Sequence, residues 1–140
     1  MLSVATEIRF EPPKRLVAYW FYRTLRACRV SLKAKANVFF VSTRRLRDLY
    51  RQYGGVNKAT TVLSFPWTEN QVPGEATNFL GEIFICPAVI AKEFGRGRAF
   101  ERGLRQIMVH ATLHLLGYDH GAIADQRVME KVEAKIFKTS

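Results

Sequence analysis

The sequence is poor in histidine and cysteine, and it has no long apolar run. Its 140 residues include three histidines and two cysteines. No apolar stretch reaches the roughly 18 residues that a membrane-spanning helix needs, and residues 1–14 lack the basic and apolar regions of a secretory signal. We therefore expect a cytoplasmic protein with no membrane partner. Cys28 and Cys86 are far apart and predict buried free thiols, not a metal pair or a disulfide framework.

Acidic residues are also scarce. Twelve Asp and Glu oppose 22 Lys and Arg, which gives a formal net charge of +10. Such an excess favours a polyanionic partner, above all nucleic acid. Hydrophobic residues form 48% of the chain, so the composition is that of a folded protein. The length predicts a single domain over residues 1–140.

Hydrophobic patterning alternates between strand and helix periods. Runs of strand length lie at 3–10, 37–42, 60–66 and 79–86. Helical patterns lie at 14–28, 43–53, 104–116 and 122–138. Pro87 is suited to open a further helix, and 93–103 is predicted to be a basic, glycine-punctuated turn. The last helix should turn inward Ile123, Val128, Met129, Val132 and Ile136. This order predicts an α+β fold, with a small mixed sheet of about four strands packed with about five helices.

All three histidines fall within eleven residues, HATLHLLGYDH, at 110–120. A predicted helix places His110 and His114 about 40° apart around its axis and about 6 Å apart along it. Gly117 suits the left-handed residue that ends a helix, so the chain can turn back and bring His120 to the same ion. Three imidazoles with a fourth position open to water are typical of catalytic zinc. We therefore predict one divalent ion per chain, with zinc expected and nickel, cobalt or copper also suited.

The residue after the first histidine distinguishes this motif from a protease site. The spacing H-x-x-x-H-x-x-G-x-x-H is that of the metzincin proteases, which carry a glutamate general base after the first histidine. This chain has Ala111 at that position. The sequence therefore predicts a zincin-like three-histidine metal site without the peptidase base.

The histidine motif and three upstream segments resemble the YbeY family. The family signature H-G-x-L-H-L-x-G-Y-D-H is matched except at Ala111, where the family usually has glycine. Residues 46–51 are similar to L-N-x-x-Y-R, with Arg47 in place of asparagine. TTVLSFP resembles T-D-V-L-S-F-P, with Thr61 in place of aspartate, and LGEIFIC resembles the strand L-G-D-I-x-I.

The resemblance implies a metal-dependent endoribonuclease that acts on single-stranded RNA. It also implies work in ribosomal RNA maturation, notably at the 16S 3′ end, and in ribosome quality control, so the expected partners are ribosomal RNA and the ribosome or its small subunit. His110, His114 and His120 would hold one zinc-like ion. Arg51 would be the catalytic arginine, because a guanidinium suits the charge that builds on phosphoryl oxygens. About three extra residues follow Arg51 relative to the family pattern.

Other side chains are candidates for supporting roles. Asp119 either accepts a hydrogen bond from a ligand imidazole or caps the last helix turn. Phe65 and Trp67 are candidates for stacking on unpaired bases, although Phe65 also suits the core. Basic side chains are expected to contact the RNA backbone, namely Arg44, Arg45, Arg47, Lys58 and Arg98.

Two alternative functions remain open from the residues alone. One is a metal-dependent amide or peptide hydrolase built on the metzincin-like ligand spacing, which Ala111 disfavours. The other is a non-catalytic, ribosome-associated RNA-binding factor whose metal is structural and whose fourth ligand is a distant Asp or Glu.

Overall fold

The structure, a computed structural model, describes residues 1–54, 61–67, 78–118 and 123–138. Within these ranges the strands are β1 (Leu2–Thr6), β2 (Lys35–Phe40), β3 (Val62–Pro66) and β4 (Phe79–Ile85). The helices are α1 (Lys14–Ala27), α2 (Thr43–Leu49), α3 (Pro87–Phe94), α4 (Arg98–Leu115) and α5 (Ile123–Lys138), and a π-helical turn (Tyr50–Gly54) directly follows α2. No helix in the described ranges is both long and apolar enough to cross a membrane.

The sheet is mixed, with the strand order β1-β2-β4-β3. Strands β1, β2 and β4 run parallel, and β3 pairs antiparallel with β4 from Val62 opposite Ile85 to Pro66 opposite Gly81. Strand β3 therefore forms one edge of this sheet. Four strands and five α-helices in the described ranges confirm the α+β class and the mixed sheet predicted from the sequence.

The hydrophobic core lies on both faces of the sheet. Successive side chains of a strand point to opposite faces, so Ile83 and Ile85 join the larger cluster, which also holds residues of α1 and α4. Phe84, between them, packs instead with Leu46 and Leu49 of α2 in a smaller cluster. Helices therefore cover the sheet on both sides, with α4 on one and α2 on the other.

Helix α2 and the segments around it depart from the predicted bounds. Strand β2 ends at Phe40, two residues before the end predicted for it. Ser42 does not belong to the strand because it caps α2, and its Oγ accepts a hydrogen bond from the Arg45 N–H at 3.1 Å. The predicted helix over 43–53 is regular only to Leu49 and continues as the π-helical turn. Strand β1 is likewise shorter than predicted and ends at Thr6, whose hydroxyl hydrogen-bonds the backbone of Ile8.

Helix α4 begins earlier than its hydrophobic pattern predicts. The predicted turn over 93–103 is wrong from Arg98 onward, since Arg98–Leu115 is one continuous helix. Gly103 lies inside this helix and is buried, and a Cβ atom there would stand 2.5 Å from Cγ of Phe94 at the end of α3. The glycine therefore provides space for close packing between two helices and does not break either one.

Two predictions about individual side chains need correction. In α5, Met129 and Ile136 are buried and Val132 is partly buried, as predicted, but Val128 is exposed. Both cysteines are free, yet only Cys86 is buried and Cys28 is partly buried. The side chain of Ile123 lies outside the described part of the chain.

Gly117 ends α4 in the manner predicted. Its φ is +100°, its N–H donates to the carbonyl of His114 at 3.1 Å, and the N–H of Tyr118 donates to the carbonyl of Leu113 at 3.0 Å. This pair of bonds is the Schellman motif, which needs a left-handed residue at the glycine position. The motif turns Tyr118 back against the larger core cluster, where the partly buried Cys28 also packs. Burial raises the pKa of the Cys28 thiol.

Gly117→Ala should lower the free energy of unfolding by about 1 kcal/mol or more, because an L-residue with a Cβ atom is strained in this conformation. Gly117→Asn should cost less, since asparagine tolerates the left-handed region better than other side chains. Urea denaturation of the two variants and the wild type measures the difference. Equal stability of all three proteins would contradict this account of the turn.

Candidate functional site

Helix α4 has one face in the core and a second face at the edge of the core. The predicted core residues Leu104, Met108, Ala111 and Leu115 are all buried. His110 and His114 lie beside this face and are partly buried. The helix therefore holds both imidazoles at a boundary that solutes can reach.

The two imidazoles face each other as the spacing predicts. Nε2 of His110 lies 3.0 Å from Nε2 of His114, and the ring planes are nearly perpendicular, at 74°. Two imidazole nitrogens bound to one tetrahedral zinc ion stand roughly 3.3 Å apart, from Zn–N distances of about 2.0–2.1 Å. The pair therefore fits two ligands of a single ion with little rearrangement.

The third predicted ligand, His120, lies outside the described residues, as do Asp119 and Lys58. Among the residues that the structure does describe, no group of three or more His, Cys, Asp or Glu side chains is arranged to hold a metal ion. The described part of the predicted metal site is therefore the histidine pair on α4.

Glu133 of α5 is a site residue that the sequence reasoning missed. Its Oε1 lies 3.3 Å from Nδ1 of His110, and both side chains are partly buried. A carboxylate on one ring nitrogen, with the other nitrogen directed at the metal position, is the usual arrangement of a metal-binding histidine. The helical spacing of α5 could have indicated Glu133. It lies four residues after Met129 and three before Ile136, so its carboxylate is on the face of α5 that turns inward.

His110 also lines a cleft of about 320 Å³. The walls come from the start of β3, the end of α3, α4 and α5, and the lining residues are Thr61, Val62, Phe94, Gln106, Ile107, His110 and Glu133. Strand β3 is fastened to α4 beside His110, because the Ser64 hydroxyl donates a hydrogen bond to the carbonyl of Ala111 at 3.3 Å. The cleft is therefore large enough for a small group of a substrate and has an edge strand as one wall.

The predicted RNA-binding arginines do not form one surface. Arg44, Arg45 and Arg47 are all exposed on α2, which covers the face of the sheet opposite α4. Arg45 is ion-paired through Nε to Glu7 at 3.3 Å. Arg98 begins α4, twelve positions before His110 and so about 18 Å away along the helix axis.

Arg51, the predicted catalytic arginine, lies in the π-helical turn after α2 and is exposed. It is not among the residues that line the cleft beside His110. Its catalytic role stays a prediction.

Comparisons with known proteins agree on one family. The family model described as endoribonuclease YbeY matches residues 4–140. Endoribonuclease YbeY of Thermodesulfovibrio yellowstonii is 40% identical over 104 residues, which cover 71% of this chain and 63% of that protein. The protein of the same name from Frankia casuarinae is 35% identical over 121 residues, which cover 80% of this chain and 60% of the relative. The chain thus spans a little under two thirds of these two relatives.

A longer match and a solved structure extend the comparison. Endoribonuclease YbeY of Methylocella silvestris is 34% identical over 130 residues, covering 91% of this chain and 72% of the relative. The solution structure of a Thermotoga maritima protein superposes with a TM-score of 0.56 at 25% identity, over 99% of this chain and 91% of that chain. The resemblance found in the sequence is confirmed, and the chain belongs to the YbeY family.

Proposed function

We propose that this protein is a metal-dependent endoribonuclease that cleaves single-stranded RNA. It would act in ribosomal RNA maturation, including the 16S 3′ end, and in ribosome quality control, in the cytoplasm and on the ribosome or its small subunit. Membership of the YbeY family supports the activity, since the curated relatives carry the name endoribonuclease. The observation that carries the proposal is the facing pair of Nε2 atoms of His110 and His114, in a chain of net charge +10.

The proposed ligands are His110, His114 and His120, which would hold one divalent ion, with zinc expected. Such an ion supplies Lewis-acid chemistry, activating water and polarising a phosphoryl oxygen. The donor set fits, because imidazole nitrogens suit zinc and two of them already converge.

Glu133 would set the tautomer of His110, the first of the three proposed ligands. By accepting a hydrogen bond from Nδ1–H of His110, it selects the tautomer in which the lone pair of Nε2 points toward His114. Its negative charge would also offset the positive charge of the ion. Asp119 would do the same for another imidazole.

Arg51 would act on the substrate. A guanidinium presents several N–H donors in a fixed plane and can pair with two phosphoryl oxygens at once. An exposed arginine is accessible to a large substrate, and π-helical turns frequently occur at functional sites. In the proposed reaction Arg51 stabilises the charge that develops on the phosphate.

Peptide hydrolysis has less support. The metzincin general base would follow the first histidine, and the methyl group of Ala111 there is buried in the core. That position supplies no proton acceptor to the cleft.

The first test is metal content together with substrate choice. The purified protein should hold about one divalent ion per chain, and His114→Ala should lose it, because one imidazole ligand is removed. The matched control is Glu101→Ala, which changes an exposed residue of α4 that does not line the cleft and should keep the ion. Unstructured RNA should be cleaved, in a manner that chelation abolishes, and casein should remain intact.

Each of the other outcomes of this test would contradict the proposed function in a different way. Casein cleavage without RNA cleavage would mean an amide hydrolase, and RNA binding without cleavage would mean a non-catalytic factor. RNA cleavage that survives both chelation and His114→Ala would come from a contaminating nuclease.

Arg51→Ala should keep the ion, but its rate of RNA cleavage should fall by about 100-fold or more. A loss of this size is usual when one group that stabilises transition-state charge is removed. Gln52→Ala, at the adjacent exposed position of the same turn, is the control and should cleave like the wild type. Metal analysis and single-turnover cleavage of one RNA measure both quantities. Full activity of Arg51→Ala would remove this residue from the mechanism.

Glu133→Gln should weaken metal affinity by about 10- to 100-fold, because an amide keeps the size of the side chain but loses the charge that orients and polarises His110. The control is Glu130→Gln, an exposed change on the same helix. Competition with a chelator of known affinity measures the loss independently of catalysis. Equal affinities in the two variants would show that the contact with His110 has no role in metal binding.

A further inference from the structure

A second cavity lies on the face of the sheet opposite the histidines. It measures about 370 Å³ and lies between α2, the π-helical turn and the strands β3 and β4. Phe65 and Phe84 belong to its lining and join the smaller core cluster below it, while Tyr53 and Trp67 stand at its exposed side. Its volume is at the small end of the roughly 300–1,000 Å³ usual for ligand sites.

The exposure of two aromatic side chains at one cavity is the first argument. Tyr53 is 64% exposed and Trp67 is 52% exposed. Each ring is held by an edge-on contact, Tyr53 with Phe65 at 5.4 Å and Trp67 with Phe79 at 5.4 Å between centroids. Rings held at the edge in this way keep most of their area available. Exposed aromatic surface gathered at one place marks a binding site.

The charges around the cavity indicate the class of ligand. Arg45 is in the lining, and Arg44 and Arg47 are exposed on the same helix. The Nε of Arg45 pairs with Glu7, but a guanidinium has further donors. The Arg45 guanidinium beside two exposed rings matches a nucleotide, whose phosphate is anionic and whose base is planar.

Glu82 adds a polar group of the opposite sign. It lies in the lining, and among the described residues no hydrogen bond or ion pair reaches its carboxylate. A carboxylate accepts hydrogen bonds from the amino groups of bases, such as N4 of cytosine. Uracil has no amino group, so Glu82 would favour cytosine, adenine or guanine over uracil.

We infer that this cavity binds one unpaired nucleobase of RNA, stacked against Trp67 and Tyr53, with Glu82 selecting for an amino group. The inference rests on the proposed function only in taking RNA as the ligand, since it needs no metal. Strand β3 connects the two sites, because Ser64 contacts α4 while Phe65 points into the cavity. An RNA strand that crosses the edge of β3 can reach both.

The test is the binding of short single-stranded oligonucleotides, with chelator present so that nothing is cleaved. Trp67→Ala and Tyr53→Ala should each weaken binding of oligocytidine by about 5- to 100-fold, the range for loss of one base–aromatic stack. Trp67→Phe should keep part of the affinity, which separates stacking from a failure to fold. The matched control is Tyr19→Ala, which removes an aromatic ring 52% exposed on α1 and should bind within twofold of the wild type.

Two further readouts locate the base. The chain has two tryptophans, and Trp20 is buried, so quenching of exposed indole emission by RNA reports on Trp67. Glu82→Gln should reduce the preference for oligocytidine over oligouridine at constant salt.

Wild-type affinity in both Trp67→Ala and Tyr53→Ala, or an equal loss in Tyr19→Ala, would overturn the inference. RNA bound through Trp67 but never cleaved would instead overturn the proposed function.

Discussion

The burial of α4 fixes the direction in which its two histidines point. Leu104, Met108, Ala111 and Leu115 are buried against the rest of the core, and successive residues of a helix differ by about 100° around its axis. A rotation by one residue would carry the imidazoles away from the cleft and expose apolar side chains. Hydrophobic packing therefore places the two imidazoles side by side, and their Nε2 atoms come within hydrogen-bond distance, at 3.0 Å.

Helix α5 supplies the carboxylate that contacts the first histidine of α4. Met129 and Ile136 bury one face of α5 in the same core cluster, and this packing brings the carboxylate of Glu133 to Nδ1 of His110. The site thus depends on two helices that meet only in the folded chain. A metal ion that prefers this arrangement would stabilise the native state over the unfolded one, because the unfolded chain does not hold these groups together.

The sequence predicted well the features that depend on local periodicity. The i, i+4 spacing of His110 and His114 and the left-handed turn at Gly117 follow from helix geometry alone, and both are found. The start of α4 was missed because Gly103 is usually a helix breaker, whereas here its small size serves packing against Phe94. Glu133 was missed because 23 residues separate it from His110, and only the packing of α5 brings them together. Long-range placement of this kind has no local signature.

The net charge of +10 would attract any RNA without regard to its sequence, since contacts with phosphates carry no information about sequence. In the proposed reaction, the choice of a cleavage position would therefore come from short-range contacts with the bases. Strand β3 can provide them because its side chains alternate, with Ser64 facing α4 and Phe65 facing the aromatic cavity. Among the described residues no strand pairs with the outer side of β3, so a substrate could pass around it. One short strand would then couple recognition of a base on one face of the sheet to chemistry at the other.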